Sequence, residues 1–273
     1  MTEGRAGVMG MLTVAAVSPT IRIGDLDGNL ARIVRGIQDA AGCGAGLIVF
    51  PELATSGYVF ADRAEAESLA LTRDDERWDA VHAGIPDGVV VVVGYCEAAG
   101  ADLFNSAAVL NSTARLADYR KAHLWGAESL IFTSGDAAGI LVDAGFGRLG
   151  VAVCYDNEFP EVPRNLALGG ADILALPVNW PLVSRPEGEH PPELIQAMAA
   201  ARSSRLPTVI ADRHGAERDV KWTGGTAIVD EQGWVVEAFR SGLTLAAVSL
   251  EVARDKGLPP HNDLFADRRP ELY

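Results

Sequence analysis

The sequence predicts an α/β fold in which two β-sheets carry helices on their outer faces, and three observations lead there. Short apolar runs of strand character alternate with amphipathic helical stretches along the whole chain. The strand-like runs number about eleven, more than one sheet ordinarily holds. No Pro-, Gly- or Ser-rich linker and no low-complexity tract divides the 273 residues, so residues 1–273 read as a single domain.

The elements follow in order. Met11 to Val17 scarcely alternates and reads as a strand buried on both faces. After Asp27, residues Leu30, Ile33, Val34 and Ile37 fall on one helical face, and Gly42 and Gly44 end that helix. Leu47 to Phe50 forms a central strand stopped by Pro51, leaving Glu52 at its carboxyl end. Two covering helices span about Arg63 to Leu71 and Asp75 to Ala83, the second with Trp78 and Val81 on one side. Val89 to Tyr95 is the most pronounced strand, with Phe104 to Asn111 as its antiparallel neighbour, holding Asn105 and Ser106 inside. Arg115 to Tyr119 leads into Lys121, and Gly126 to Gly139 lacks periodicity and reads as an active-site loop containing Glu128.

Ile140 to Val142 and Arg148 to Val153 pair as strands, the second delivering Cys154, with a helix over Phe159 to Gly169 beyond it. Ala171 to Leu176 is a buried strand ended by the turn Pro177-Val178-Asn179-Trp180-Pro181. Ser184 to Pro192 is irregular and acidic, and Glu193 to Ser204 is an Ala-rich helix whose small residues suit close helix packing, including across a dimer interface. Pro207 to Ala211, Gly225 to Val229, Trp234 to Phe239 and Thr244 to Leu250 complete the strands, with Asp230-Glu231-Gln232-Gly233 as a hairpin turn.

Totals narrow the function. A net charge of −14 with no Lys/Arg cluster excludes a nucleic-acid partner and suits a small neutral or cationic substrate. No apolar run approaches the ~18 residues that cross a bilayer, and Met1 to Met11 holds no signal-peptide core, which points to a cytoplasmic protein without a membrane partner. Cys43, Cys96 and Cys154 are odd in number and far apart, so they read as free thiols rather than a disulfide framework or metal site.

Cys154 stands where an apolar strand gives way to residues that open a helix. A helix N-terminus there would favour a thiolate and offer N–H groups to an oxyanion. Taken alone, a cysteine after Val-Ala-Val is more often a small core residue, Glu52 suits a solvated loop as well as a ligand site, and most lysines are surface cations. Together the three make one apparatus: a carboxylate to take the thiol proton, a thiolate to attack a carbonyl, and an ammonium to stabilise the oxyanion, with no metal or cofactor required. A cysteine–histidine hydrolase is the alternative, but none of His82, His123, His190, His214 and His261 has a context that singles it out.

Phe50-Pro51-Glu52-Leu53, Tyr119-Arg120-Lys121-Ala122-His123-Leu124 and Cys154-Tyr155-Asp156-Asn157-Glu158-Phe159-Pro160-Glu161 resemble, in order and spacing, the three signature blocks of the nitrilase superfamily of carbon–nitrogen hydrolases. The terminal Asp267 to Tyr273 is similar to the ends of amidase-branch members. The resemblance implies an α-β-β-α sandwich, commonly a homodimer or higher homo-oligomer, with Glu52 as general base, Lys121 stabilising the tetrahedral intermediate and Cys154 forming a thioester. It further implies Glu128 as a second glutamate supporting the triad, and the Tyr155 backbone N–H as part of the oxyanion hole. Tyr155 after the cysteine resembles amidases more than nitrilases, so the expected substrate is a small aliphatic, possibly ω-amino, amide. An N-carbamoyl amine or a nitrile is the alternative, and a catalytically idle scaffold is a reading from another class. Asn179 and Trp180 would border the pocket, and Glu158, Glu187 or Glu189 could meet a cationic substrate end.

Overall fold

The computed structural model describes residues 10–272. Residues 1–9 of the Met1 to Met11 stretch read as lacking a signal-peptide core, and Tyr273 of the terminal block, lie outside that range. In the first six-stranded sheet β1 (Met11–Val17), β2 (Leu47–Val49) and β3 (Val90–Ala99) run parallel at the centre. Antiparallel β4 (Asp102–Leu110) and β5 (Arg115–Arg120) extend it beyond β3, and β14 (Leu243–Ser249) pairs antiparallel with β1 at the other edge.

The second six-stranded sheet has the same plan. β7 (Arg148–Val151), β8 (Ile173–Pro177) and β9 (Thr208–Ala211) are parallel, flanked by antiparallel β6 (Ile140–Asp143) and by β12 (Ala227–Val229) with β13 (Val235–Ala238). Two short ribbons, β10 (Ala216–Glu217) with β11 (Val220–Lys221) and β15 (Gly257–Leu258) with β16 (Asn262–Asp263), complete the strands among the described residues.

Strand parity builds the layers. Val14, Ala16, Leu47, Val49, Val90 and Val92 point between the sheets and share one core with Leu149, Val151, Ile173 and Ala175. Their neighbours Ala15, Val17, Ile48, Val91 and Val93 point outward onto α1 (Leu26–Gly42) and α3 (Trp78–Ala83) through Ile33, Ile37 and Val81. On the far side α4 (Glu161–Leu168) and α5 (Pro192–Ser204) cover the second sheet with Val162, Leu166, Leu194, Ala197 and Ala201. The layering is therefore α-β-β-α. The shorter helices α2 (Arg63–Leu69) and α6 (Leu250–Arg254) cover the flanks.

Three readings change in detail. Arg115–Arg120 is a full edge strand, the twelfth in the two main sheets, half-buried and charged enough to hide its pattern. Gly126–Leu130, read as irregular, is a 3-10 turn. The helix after Cys154 starts only at Glu161, because Cys154–Glu158 forms a separate 3-10 turn that Pro160 follows. The close helix packing read from the small residues of Glu193 to Ser204 is present, against α4, while Leu194, Ala197 and Ala201 cover the second sheet.

Candidate active site

Glu52 is placed by a tight bend. Four residues past β2 the chain turns through Leu53, whose φ is +49°, and packs against β3 at Gly94. A Cβ on Gly94 would stand 2.4 Å from the Pro51 carbonyl oxygen and 2.6 Å from the Glu52 Cα, so only glycine lets the bend lie on the strand. Lys121 leaves the end of β5 with its N–H donating to the Asn105 carbonyl at 2.8 Å, while its own carbonyl accepts from Gly135 N–H at 2.9 Å. Both Glu52 and Lys121 are essentially inaccessible to water.

The side chains converge. Lys121 Nζ donates to Glu52 Oε1 at 2.7 Å and to the two Glu128 oxygens at 2.8 and 2.9 Å. Asn105 Nδ2 donates to Glu52 Oε1 at 2.7 Å, and Tyr58 Oη donates to Glu128 Oε1 at 2.5 Å. The Trp125 N–H donates to Glu128 Oε2 at 3.0 Å, so the 3-10 turn that carries Glu128 also fixes its carboxylate. Glu52 Oε2 is buried without a hydrogen-bond partner.

Cys154 begins its 3-10 turn at φ +49°, a left-handed backbone that a non-glycine residue adopts only when its surroundings impose it. The surroundings here are Asp156, whose Oδ2 accepts from Val153 N–H at 3.0 Å and Tyr119 Oη at 2.7 Å. Its Oδ1 accepts from the His123 N–H at 3.0 Å and contacts His123 Nδ1 at 2.8 Å. Asp156 thus ties the cysteine turn to the chain that carries Lys121. Cys154 also receives a hydrogen bond from the Asn179 N–H, and Asn179 Nδ2 donates to the Glu52 carbonyl at 2.9 Å.

The electrostatics follow from burial. Burial lifts the Glu52 carboxyl to about 7, since the opposing pull of Lys121 is partly offset by Glu128. Burial opposes the charge on Lys121, but the Glu52 and Glu128 carboxylates outweigh it and hold the ammonium above the ordinary lysine range. Burial, with Glu52 adding to it, pushes the Cys154 thiol well above its usual value. This corrects the expectation of a thiolate favoured by a helix N-terminus: the helix begins further on, and the thiol rests protonated beside a base.

A cleft of about 160 Å³ opens on Cys154 and is lined by Trp125, Tyr155, Glu158, Asn179, Trp180 and Glu193. Of the acidic candidates for a cationic substrate end, Glu158 lines this cleft, whereas Glu187 and Glu189 are exposed on the loop before α5 and do not. Trp180 is set by Asp212, which accepts from the Trp180, Gly225 and Arg213 N–H groups at 2.9, 2.7 and 2.8 Å.

The profile of the family described as Carbon-nitrogen hydrolase matches residues 13–256. The chain belongs to the carbon-nitrogen hydrolase family. Among relatives of this hydrolase, a protein of Pyrococcus abyssi named Nitrilase is 34% identical over 96% of this chain and 99% of its own. An (R)-stereoselective amidase of a Pseudomonas species is 34% identical over 91% of this chain and 88% of its own. The fold matches that of an amidase from Nesterenkonia sp. AN1 of the nitrilase superfamily, with a TM-score of 0.77 at 24% identity, covering 96% of each chain.

Within this hydrolase the structure brings Glu52, Lys121, Glu128 and Cys154 into one cluster and sets Tyr155, Glu158, Asn179 and Trp180 along the cleft. Sequence reasoning missed Tyr58, Asp156, Asp212 and Glu193. An Asn flanked by apolar strand residues drew attention to Asn105, and the same signal marks Asp156 and Asp212, each an acid at the end of an apolar run. Tyr58 and Glu193 carry no comparable local signal, because only the chain's return path brings them to the site.

Proposed function

We propose that this hydrolase cleaves the C–N bond of a small aliphatic amide through a Cys154 thioester, giving a carboxylate and ammonia. One observation carries the reading: Glu52 presents one oxygen held by Lys121 and Asn105 and one buried oxygen without a partner, and its carboxylate is near enough to help raise the Cys154 thiol. An unpartnered carboxylate oxygen whose pKa lies near neutrality suits a base that accepts and returns a proton.

Glu52 Oε2 takes the thiol proton as Sγ attacks the amide carbonyl carbon, and the π electrons move onto the oxygen. Lys121 Nζ and the Tyr155 N–H, the latter without a partner inside its own 3-10 turn, stabilise that oxyanion. The oxyanion re-forms the carbonyl, the C–N bond breaks, and Glu52 passes the proton to the leaving nitrogen, which departs as ammonia. A water then gives its proton to Glu52 and attacks the thioester. The C–S bond breaks, the thiol recovers the proton from Glu52, and the acid leaves. Glu128 holds the ammonium in register through both halves.

Cys154→Ala should abolish ammonia release while leaving the denaturation midpoint within the normal range of surface variants, and residual ammonia release by the folded variant would sink the mechanism. The activity in the Pseudomonas relative's name supports the amide reading, and that of the Pyrococcus relative supports a nitrile as the second reading. Both begin with the same attack. Parallel assays with amide, nitrile and N-carbamoyl substrates separate the readings by which substrate is turned over, and carbon dioxide released with ammonia marks the N-carbamoyl reaction. Family resemblance also supports a homo-oligomer, which sedimentation would test.

A further inference from the structure

The cleft has a charge pattern that the amide reaction does not use. Glu158, at the exposed rim, and Glu193, partly buried at the start of α5, both line it. Partial burial, with the Glu193 carboxylate close enough to add to it, holds the Glu158 carboxyl above its usual range. Neither is paired with Lys or Arg in the ion pairs found among the described residues, and the cleft lining includes no cationic side chain. Two like charges facing one small cavity without a counter-ion repel each other, and an ordinary surface acid would turn to water or to an arginine.

Two further observations point to a bound molecule. Glu193 Oε2 is sequestered from water without a hydrogen-bond partner, and Asn179, 2% exposed on the floor of the same cleft, has an Oδ1 in the same state. The same cleft is lined by aromatic rings: Trp125 stands edge-on to Tyr155 at 4.9 Å, and Trp180 lines it as well. Neighbouring carboxylates in an aromatic-lined slot are how a protein receives an ammonium, by charge-assisted hydrogen bonds and by attraction to the ring faces. An acceptor near the nucleophile suits the N–H of a carboxamide. A cavity of about 160 Å³, well below the usual range for drug-sized ligands, suits a short chain.

We propose that the preferred substrate is a short primary amide bearing an ammonium at the end remote from the carboxamide, received by Glu158 and Glu193, and that amides bearing a carboxylate there are rejected. The inference deepens the amidase reading and rests on it. The attraction selects a cation, and the same two charges repel an anion of equal length.

The test compares three primary amides of matched length ending in an ammonium, a methyl or a carboxylate, by kcat/KM for ammonia release. The ammonium amide should exceed the methyl amide by roughly tenfold or more, the scale of one charge-assisted contact, and the carboxylate amide should be the poorest. In Glu158→Gln/Glu193→Gln the ammonium-to-methyl ratio should fall to about one, whereas Glu158→Asp should keep much of it. Since the double variant could be compromised in folding, the wild type gives an independent readout: added salt should lower kcat/KM for the ammonium amide and leave the methyl amide nearly unchanged. Equal rates for all three amides, or a ratio that survives the double variant, would overturn the proposal while leaving the amidase reading intact. Hydrolysis of none of the three would overturn both.

Discussion

Glu52 is asked to hold a lysine and to take a proton from sulfur, and its two oxygens divide the work. Because burial lifts its carboxyl to about 7, the base is ionised only above that pH. The acid limb of kcat/KM should accordingly have its midpoint near 7, falling about tenfold per pH unit below it, as ammonia-release assays from about pH 5 to 9 would read. A solvated glutamate would place that limb more than two units lower. Tyr58 acts one residue further out. Its hydroxyl bonds Glu128 at 2.5 Å, and its backbone N–H is held at 2.8 Å by Glu217, which also pairs with Arg213 at 2.6 Å. Removing the hydroxyl with Tyr58→Phe leaves Glu128 its bonds from Lys121 and Trp125, so kcat/KM should drop about tenfold with little loss of stability. Activity equal to wild type would show that the hydroxyl positions nothing.

At the scale of elements, the site depends on where strands stop. The central strands were legible because apolar runs without alternation mark strands buried on both faces, and Pro51 showed where β2 must end. Legible too was the convergence of Glu52, Lys121 and Cys154, though through the resemblance of three blocks rather than through any physical pattern that joins them. The backbone at the turns was not legible. A residue such as Cys154 in the left-handed region looks like any other in a sequence, because Asp156, Tyr119 and His123 impose that geometry through contacts more than thirty residues apart. Nor did the run of valines ending in Gly94 reveal why a glycine interrupts it. The bend carrying Glu52 lies directly on that glycine. Gly94→Ala should therefore cost about 1–3 kcal/mol in urea unfolding, as overpacking does, and should reduce turnover far more than that loss of stability explains.

For the whole molecule, the same mixed-sheet plan appears twice, and the two copies are joined by one core. Leu149 sits in that core with no exposure, opposite the valines of the first sheet. Leu149→Ala should cost about 2–5 kcal/mol in denaturant unfolding and should shift a single shared transition rather than expose a separate melt for one sheet. A sheet that unfolded alone would appear as two steps.

The pairing of β14 with β1 ties the final strand of the larger sheets to the first. During synthesis, the strand Met11–Val17 is made long before its edge partner Leu243–Ser249 exists, and Glu52 is made before the strand that delivers Cys154. The base and the thiol thus meet late. A ribosome-bound or truncated chain lacking the last strand carries an unfinished first sheet, whose β1 edge stays unpaired until the chain closes on its own beginning.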